Sequence, residues 1–184
     1  MANNLIQNPI GLSAVIQRIQ KTLYDSLTSK WVGELQGFGE VYLNKKSNTF
    51  YPEAFTGGND KTDYSGNLLT SDDSKFFFIP SGNSKAVGNG DYFSTTIDVC
   101  FIIDLSKAYP DEQHRTVSKS KAHNEVEKTL AQISLFSAKV ESFTEGIKNL
   151  FSGLSFDAEK IDLQPKHSFK FTIRVIYSMN QQEC

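Results

Sequence analysis

The side chains that could do chemistry in this chain are three histidines, two cysteines and a few paired carboxylates. His114, His123 and His167 are the candidate proton carriers and metal ligands, since imidazole titrates near neutrality and binds metals. Nucleophilic catalysis would need a Ser or Cys beside one of them, with a carboxylate to orient the ring. None of the three lies in a nucleophile motif, and G-x-S-x-G does not occur. A metal site built from His114 and His123 would need both brought together across a turn, with Asp111 or Glu112 completing it. The chain has no zinc-type ligand spacing, and Cys100 and Cys184 are too far apart in sequence to add one. Asp72 with Asp73, and Asp98 with Asp104, are paired carboxylates of the kind a metal-dependent nuclease uses. Such an enzyme also places a catalytic Lys at a strand end, and no E-x-K follows either strand-like run. His123 reads as a residue near a helix start, and His167 as one just ahead of a strand. Asp98 and Asp104 read as the exposed face of a strand. No phosphate-binding G-x-x-x-x-G-K-[ST] or strand-linked G-x-G-x-x-G is present, and Val87-Gly88-Asn89-Gly90-Asp91 reads as a hairpin turn. No catalytic, cofactor-binding or metal-ligating residue is therefore assigned, and no cofactor is expected.

The elements that would position these residues are easier to read. Phe169, Phe171, Ile173, Val175 and Tyr177 alternate with Lys170, Thr172 and Arg174, as a strand with one buried face requires. A second strand alternates Thr95, Ile97, Val99, Phe101, Ile103 and Leu105 against Asp98, Cys100, Ile102 and Asp104. Leu12, Val15, Ile16, Ile19, Leu23 and Leu27 recur at steps of three and four, which predicts a helix after Asn8-Pro9 that ends before Gly33. Burying each aliphatic side chain contributes roughly 1.5–3 kcal/mol, enough to hold this helix on a sheet. A strand with glycine irregularities follows over residues 34–43. Tyr109-Pro110-Asp111-Glu112 reads as a turn. Asn124-Glu125-Val126-Glu127 resembles a capping box and predicts a helix with Val126, Leu130, Ile133 and Phe136 or Ser137 inside. Ser142-Phe143-Thr144-Glu145 is a second such signal, ahead of a short helix holding Ile147, Leu150 and Phe151. Lys139 to Ser142 is open between strand and turn.

Residues from about 44 to 94 are rich in Asn, Gly, Ser and Asp. One island, Lys75-Phe76-Phe77-Phe78-Ile79-Pro80, reads as a short strand ended by proline. Fixing a backbone costs about 1–2 kcal/mol per residue, and this stretch has few apolar anchors to offset it. It is expected to be a long, projecting excursion that orders against something else, such as a neighbouring copy.

Length and composition bound the rest. The 184 residues make one domain, large enough to hide roughly 70% of its unfolded surface. A formal net charge of −2 and a pI near 5.9 give no electrostatic footprint for nucleic acid. His114-Arg115 with Lys119 and Lys121, the nearest thing to a basic patch, reads as a solvated turn before a helix. Two distant cysteines imply a reducing compartment, and the first residues do not read as a secretory signal. The longest apolar run, Val99 to Ile103, is too short to span a bilayer. The fold class is thus α+β: a small mixed, mainly antiparallel sheet with helices packed on one face and a long loop or hairpin insertion, in a single domain over 1–184. The opposite face offers only Cys100, Ile102 and Ile176, too few for a second core, and suits an interface.

The order of these elements resembles the tail terminators and head–tail joining (tail completion) proteins of tailed bacteriophages. The features that carry the likeness are the N-terminal amphipathic helix, the strand with Gly39-Glu40-Val41-Tyr42-Leu43, the variable excursion, the strand from Ile97 to Leu105, and the helix with Val126 and Leu130. Gln164-Pro165-Lys166-His167 leading into the last alternating strand completes it. The resemblance implies a structural virion protein, not an enzyme, made in the host cytoplasm. It would form a homo-oligomeric ring, commonly a hexamer, that caps the tail tube and joins it to the neck or connector. DNA would pass through the lumen without specific binding. Two other readings stand beside it: a small metal-dependent hydrolase or nuclease using Asp98, Asp104 and His114, and a binding module whose long loop recognises a ligand.

Overall fold

The structure is a computed structural model that describes residues 2–46, 49–55, 64–65, 68, 73–133, 138–151 and 166–180. The chain runs β1 (Ala2–Asn3), α1 (Leu12–Thr28), β2 (Leu35–Lys46), β3 (Thr49–Phe55), β4 (Tyr64–Ser65), β5 (Ser74–Val87) and β6 (Tyr92–Asp104). It continues through α2 (Leu105–Ala108), α3 (Arg115–Gln132), β7 (Lys139–Glu145), α4 (Ile147–Leu150) and β8 (Lys166–Tyr177). The strands form one sheet in the order β4-β3-β2-β5-β6-β8-β7, with β1 pairing β2. The β1–β2 and β2–β5 pairs are parallel and the others antiparallel, so the fold is α+β with a mixed, mainly antiparallel sheet.

The main core lies under the two long helices. Alternation in β6 and β8 puts Ile97, Val99, Phe101, Ile103, Phe169, Phe171, Ile173 and Val175 on one face, where Val15, Ile16, Ile19, Leu23 and Leu27 of α1 meet them. Phe101 stacks on Phe169 with centroids 4.9 Å apart and on Phe76 at 5.7 Å, and meets Trp31 edge-on. Such ring pairs add roughly 0.5–1.5 kcal/mol each beyond their buried area. Polar side chains fix the helices. Glu125 accepts hydrogen bonds at one oxygen from Trp31 Nε1 (2.6 Å) and from the Tyr109 hydroxyl (2.7 Å), and the hydroxyls of Ser26 and Thr129 lie 2.9 Å apart. Buried Gln20 donates to Asn3 Oδ1 and to the Asn4 carbonyl, tying the N-terminal strand to α1. Gly37 is required where β2 threads between β1 and β5: a Cβ there would meet Asn3 Oδ1 at 2.8 Å and Phe76 Cζ at 2.9 Å.

The opposite face departs from the sequence expectation. It buries a second apolar cluster of Phe38, Val41, Ala54, Leu68, Phe77, Cys100, Ile102, Ile147, Leu150 and Phe151. Phe77 stacks on Phe151 at 5.5 Å. Counting β6 and β8 alone misses this core, because most of its members come from β2, β3, β5, α4 and its flank. Beside it, Asp98 accepts from Lys170 Nζ (2.7 Å) and from the Thr172 hydroxyl (2.6 Å) in a polar row.

Three element boundaries also differ. The helix expected from Asn124 begins at Arg115, so His123 and Asn124 lie mid-helix and the expected basic turn is its first two turns. Its buried side begins with Ser118 and Ala122, too small and polar to register as an apolar stripe. Ser142–Glu145 belongs to β7, and α4 starts instead after Gly146, whose φ is 93°. Leu105 opens α2, which Asp104 caps by accepting from the backbone N–H groups of Ser106 and Lys107.

The described parts of 44–94 are largely strand. β5 continues past Pro80, which sits where the β5–β6 register shifts and so removes no ladder bond the sheet needs. Residues 81–92 are exposed throughout. There β5 pairs with β6 through Lys85–Ser94, Ala86–Phe93 and Val87–Tyr92, β8 flanks β6 as far as Phe93–Tyr177, and the chain turns at Gly88 and Gly90, which take φ values of 66° and 92°. The predicted hairpin turn is thus the exposed tip of the β5–β6 hairpin, which reaches one residue pair, Val87–Tyr92, past the end of the β8 pairing. The Gly-Asn stretch over 56–60 and the expected stripe residues Phe136 and Ser137 lie outside the described residues.

Candidate functional site

The structure brings His123, Glu145 and His167 together. α3 supplies His123, the last residue of β7 supplies Glu145, and the start of β8 supplies His167. His123 Nε2 and His167 Nε2 lie 2.8 Å apart, so one ring donates and the other accepts. Glu145 Oε1 stands 3.7 Å from His123 Nδ1. Each residue offers a donor atom within 4.8 Å of the other two. Aromatic walls hold the rings: His123 packs edge-on against Phe143 and Phe169, both at 4.6 Å, and His167 lies 5.4 Å from Phe169.

A pocket of about 390 Å³ opens beside the cluster, lined by Arg115, Lys119, Lys166, Glu145, Gly146, His167 and Ser168. Arg115 donates to the Lys166 carbonyl (2.8 Å), joining the first turn of α3 to the start of β8. Burial pushes the His167 pKa down to about 3, helped by the charges of Lys119, His123 and Arg115. Burial also lowers His123, while Glu145 works against that shift. Both imidazoles are thus neutral near neutral pH, each with one lone pair to share.

The residues singled out by the sequence are placed elsewhere. Asp98 is engaged by Lys170 and Thr172, and Asp104 caps α2. His114 is the N-cap of α3, and its backbone N–H donates to Glu112, which also pairs with Lys121 at 2.7 Å. Asp73 accepts from Gln36 Nε2 (2.9 Å); Asp72 and Cys184 lie outside the described residues. Cys100 is a buried free thiol whose pKa burial raises. Among the described residues, the His123–Glu145–His167 group is the one compact set of metal-type ligands; the sequence named both histidines as candidates but paired His123 with His114 and did not single out Glu145. Two signals pointed to it. His167 is in phase with the apolar face of β8, and Glu145 is in phase with Phe143. The pairing of α3 with β8 carried no sequence signal.

Compared with known protein families and with curated proteins, the chain matches no family model and no curated sequence. No helix among the described residues is long and apolar enough to cross a membrane.

Proposed function

We propose that this protein is a structural, non-enzymatic virion component that forms a homo-oligomeric ring at a phage head–tail junction. It caps the tail tube and joins it to the neck, and DNA passes through its lumen without specific binding. The supporting observation is the exposed end of the β5–β6 hairpin at residues 81–92. Val87 and Tyr92 are exposed near its tip, 38% and 55% accessible. A hairpin tip carrying exposed apolar groups gains stability by lying on another surface. A second copy offers that surface, and a head-to-tail contact that closes on itself makes a ring. β7 adds an edge: among the described residues it pairs with β8 alone, and Phe143 on it is exposed. A neighbour's strand can extend the sheet there. The net charge of −2 suits a lumen that does not grip DNA.

Light scattering after size exclusion, with electron microscopy of the same fractions, tests this reading. The parent chain should form closed rings, alone or on tail tubes. Replacing Val87–Tyr92 by Asn-Gly should leave a folded monomer with the parent's Tm that no longer assembles. A chain that stays monomeric at high concentration and with tubes present refutes the proposal, as does a trimmed variant that builds rings as well as the parent. Divalent-dependent nuclease activity lost in Asp98→Asn would favour the hydrolase reading instead. Ligand binding lost on trimming, with no assembly by the parent, would favour the binding module.

A further inference from the structure

We infer that His123, Glu145 and His167 form a binding site for a divalent transition-metal ion of the zinc type, with its open coordination position facing the cationic pocket. The three side chains come from three different elements, yet their donor atoms converge within 4.8 Å. Two imidazoles and one carboxylate are a ligand set that zinc takes with a fourth position left free. The mixed nitrogen and oxygen donors favour zinc, cobalt or nickel over magnesium and calcium, which prefer all-oxygen sites.

Binding needs a shift of the two rings and of Glu145. Two nitrogens bound to one tetrahedral ion at about 2.0–2.1 Å stand about 3.3 Å apart. The present Nε2–Nε2 separation is 2.8 Å, so the rings part by a few tenths of an ångström. Phe143 and Phe169 flank the imidazoles and limit their rotation. Glu145, half-exposed at the pocket rim, stands nearest His123 Nδ1 and would swing from there towards the two Nε2 atoms. Access runs through the pocket itself, which His167 and Glu145 both line.

The surrounding charge defines what completes the coordination. Arg115, Lys119 and Lys166 line the same pocket and repel a bare cation. The bound ion therefore takes an anionic fourth ligand, such as hydroxide, phosphate or a carboxylate, which those three side chains also attract. The ion's own role is to staple α3 to the β7–β8 edge. An ion that binds the folded chain and not the unfolded one raises stability by mass action. This inference stands apart from the ring proposal: a monomer with the site, or a ring without it, is each physically coherent.

The test uses the full chain stripped with a chelator, then titrated with Zn²⁺ or Co²⁺. One equivalent of Zn²⁺ should raise the Tm, and one equivalent of Co²⁺ should give the visible absorption of a tetrahedral site. Glu145→Gln keeps the shape of an exposed side chain, so the stripped variant should melt like the stripped parent while binding Zn²⁺ at least tenfold more weakly. His123→Gln should abolish the Co²⁺ spectrum. No Tm rise and no Co²⁺ bands in the parent overturn the assignment. So does parent-like Zn²⁺ affinity in Glu145→Gln, which decides the matter by itself if His123→Gln fails to fold.

Discussion

Glu40 sits on β2, half-buried, and its burial raises the carboxyl pKa above 4.5 against the opposing hydrogen bond from Tyr42. A carboxyl whose folded pKa is raised favours the fold when protonated and costs stability once ionised. Glu40→Gln removes that cost while keeping an acceptor for Tyr42. The variant should therefore melt higher than the parent at pH 7, with the gain shrinking as the pH falls and gone below about 4.5, by paired thermal melts across that range. Asp98 is held by a buried cation instead. Lys170 is 9% exposed and depends on the Asp98 carboxylate, so Asp98→Ala should destabilise by about 1–3 kcal/mol in denaturant titration. A Lys170→Met, Asp98→Leu double variant should recover much of that loss, because it leaves no buried charge unpaired. At this scale the sequence placed Asp98 on the right face of the strand but not its partners. Alternation tells which side a residue is on, and says nothing of what stands across from it. Thr172 and Lys170 became its partners only through the antiparallel register of β6 and β8.

Elements were legible in proportion to how apolar their buried faces are. α1 shows a continuous aliphatic stripe, and the structure starts it at Leu12, where the stripe begins. β8 alternates large rings and aliphatics, and every predicted face residue is buried. α3 hides its first half because Ser118 and Ala122 form the buried side there. Close approach needs small groups at those positions, and a search for large ones passes over them. Ala122 is fully buried, so Ala122→Leu should overpack the helix contact and cost about 1–3 kcal/mol, read as a lower midpoint with an unchanged denaturant slope. Ile173 is 1% exposed and pairs with Ile97 and Val140. Ile173→Asp would bury a charge with no partner and should abolish the cooperative thermal transition. Pro80 misled in a different way. Proline ends a strand only where its N–H is needed, and a register shift removes that need.

At the level of the molecule, the one-sided sheet expected from the sequence is a sheet with a core on each side. Its long helices cover one face, and α4 with the Phe77–Phe151 stack closes part of the other. The reverse face is consequently a poor docking surface near Phe77, and the proposed assembly would have to use the hairpin tip and the β7 edge. The α+β class was legible because it follows from which segments alternate and which recur at helical spacing. The second core was not, since it gathers one to three residues from each of six segments. The strand order has a further consequence. β6 lies between β5 and β8, and Ile97 waits for Ile173 to arrive along the chain before its ladder is complete. During synthesis the greasiest ribbon of the protein, Val99 to Ile103, is held on one flank by its hairpin mate and stands bare on the other. A ribosome that stalls within 110–165 would present that bare flank to every other nascent copy, so chaperone demand and inclusion-body yield should track translation speed over that interval more than the stability of the finished fold.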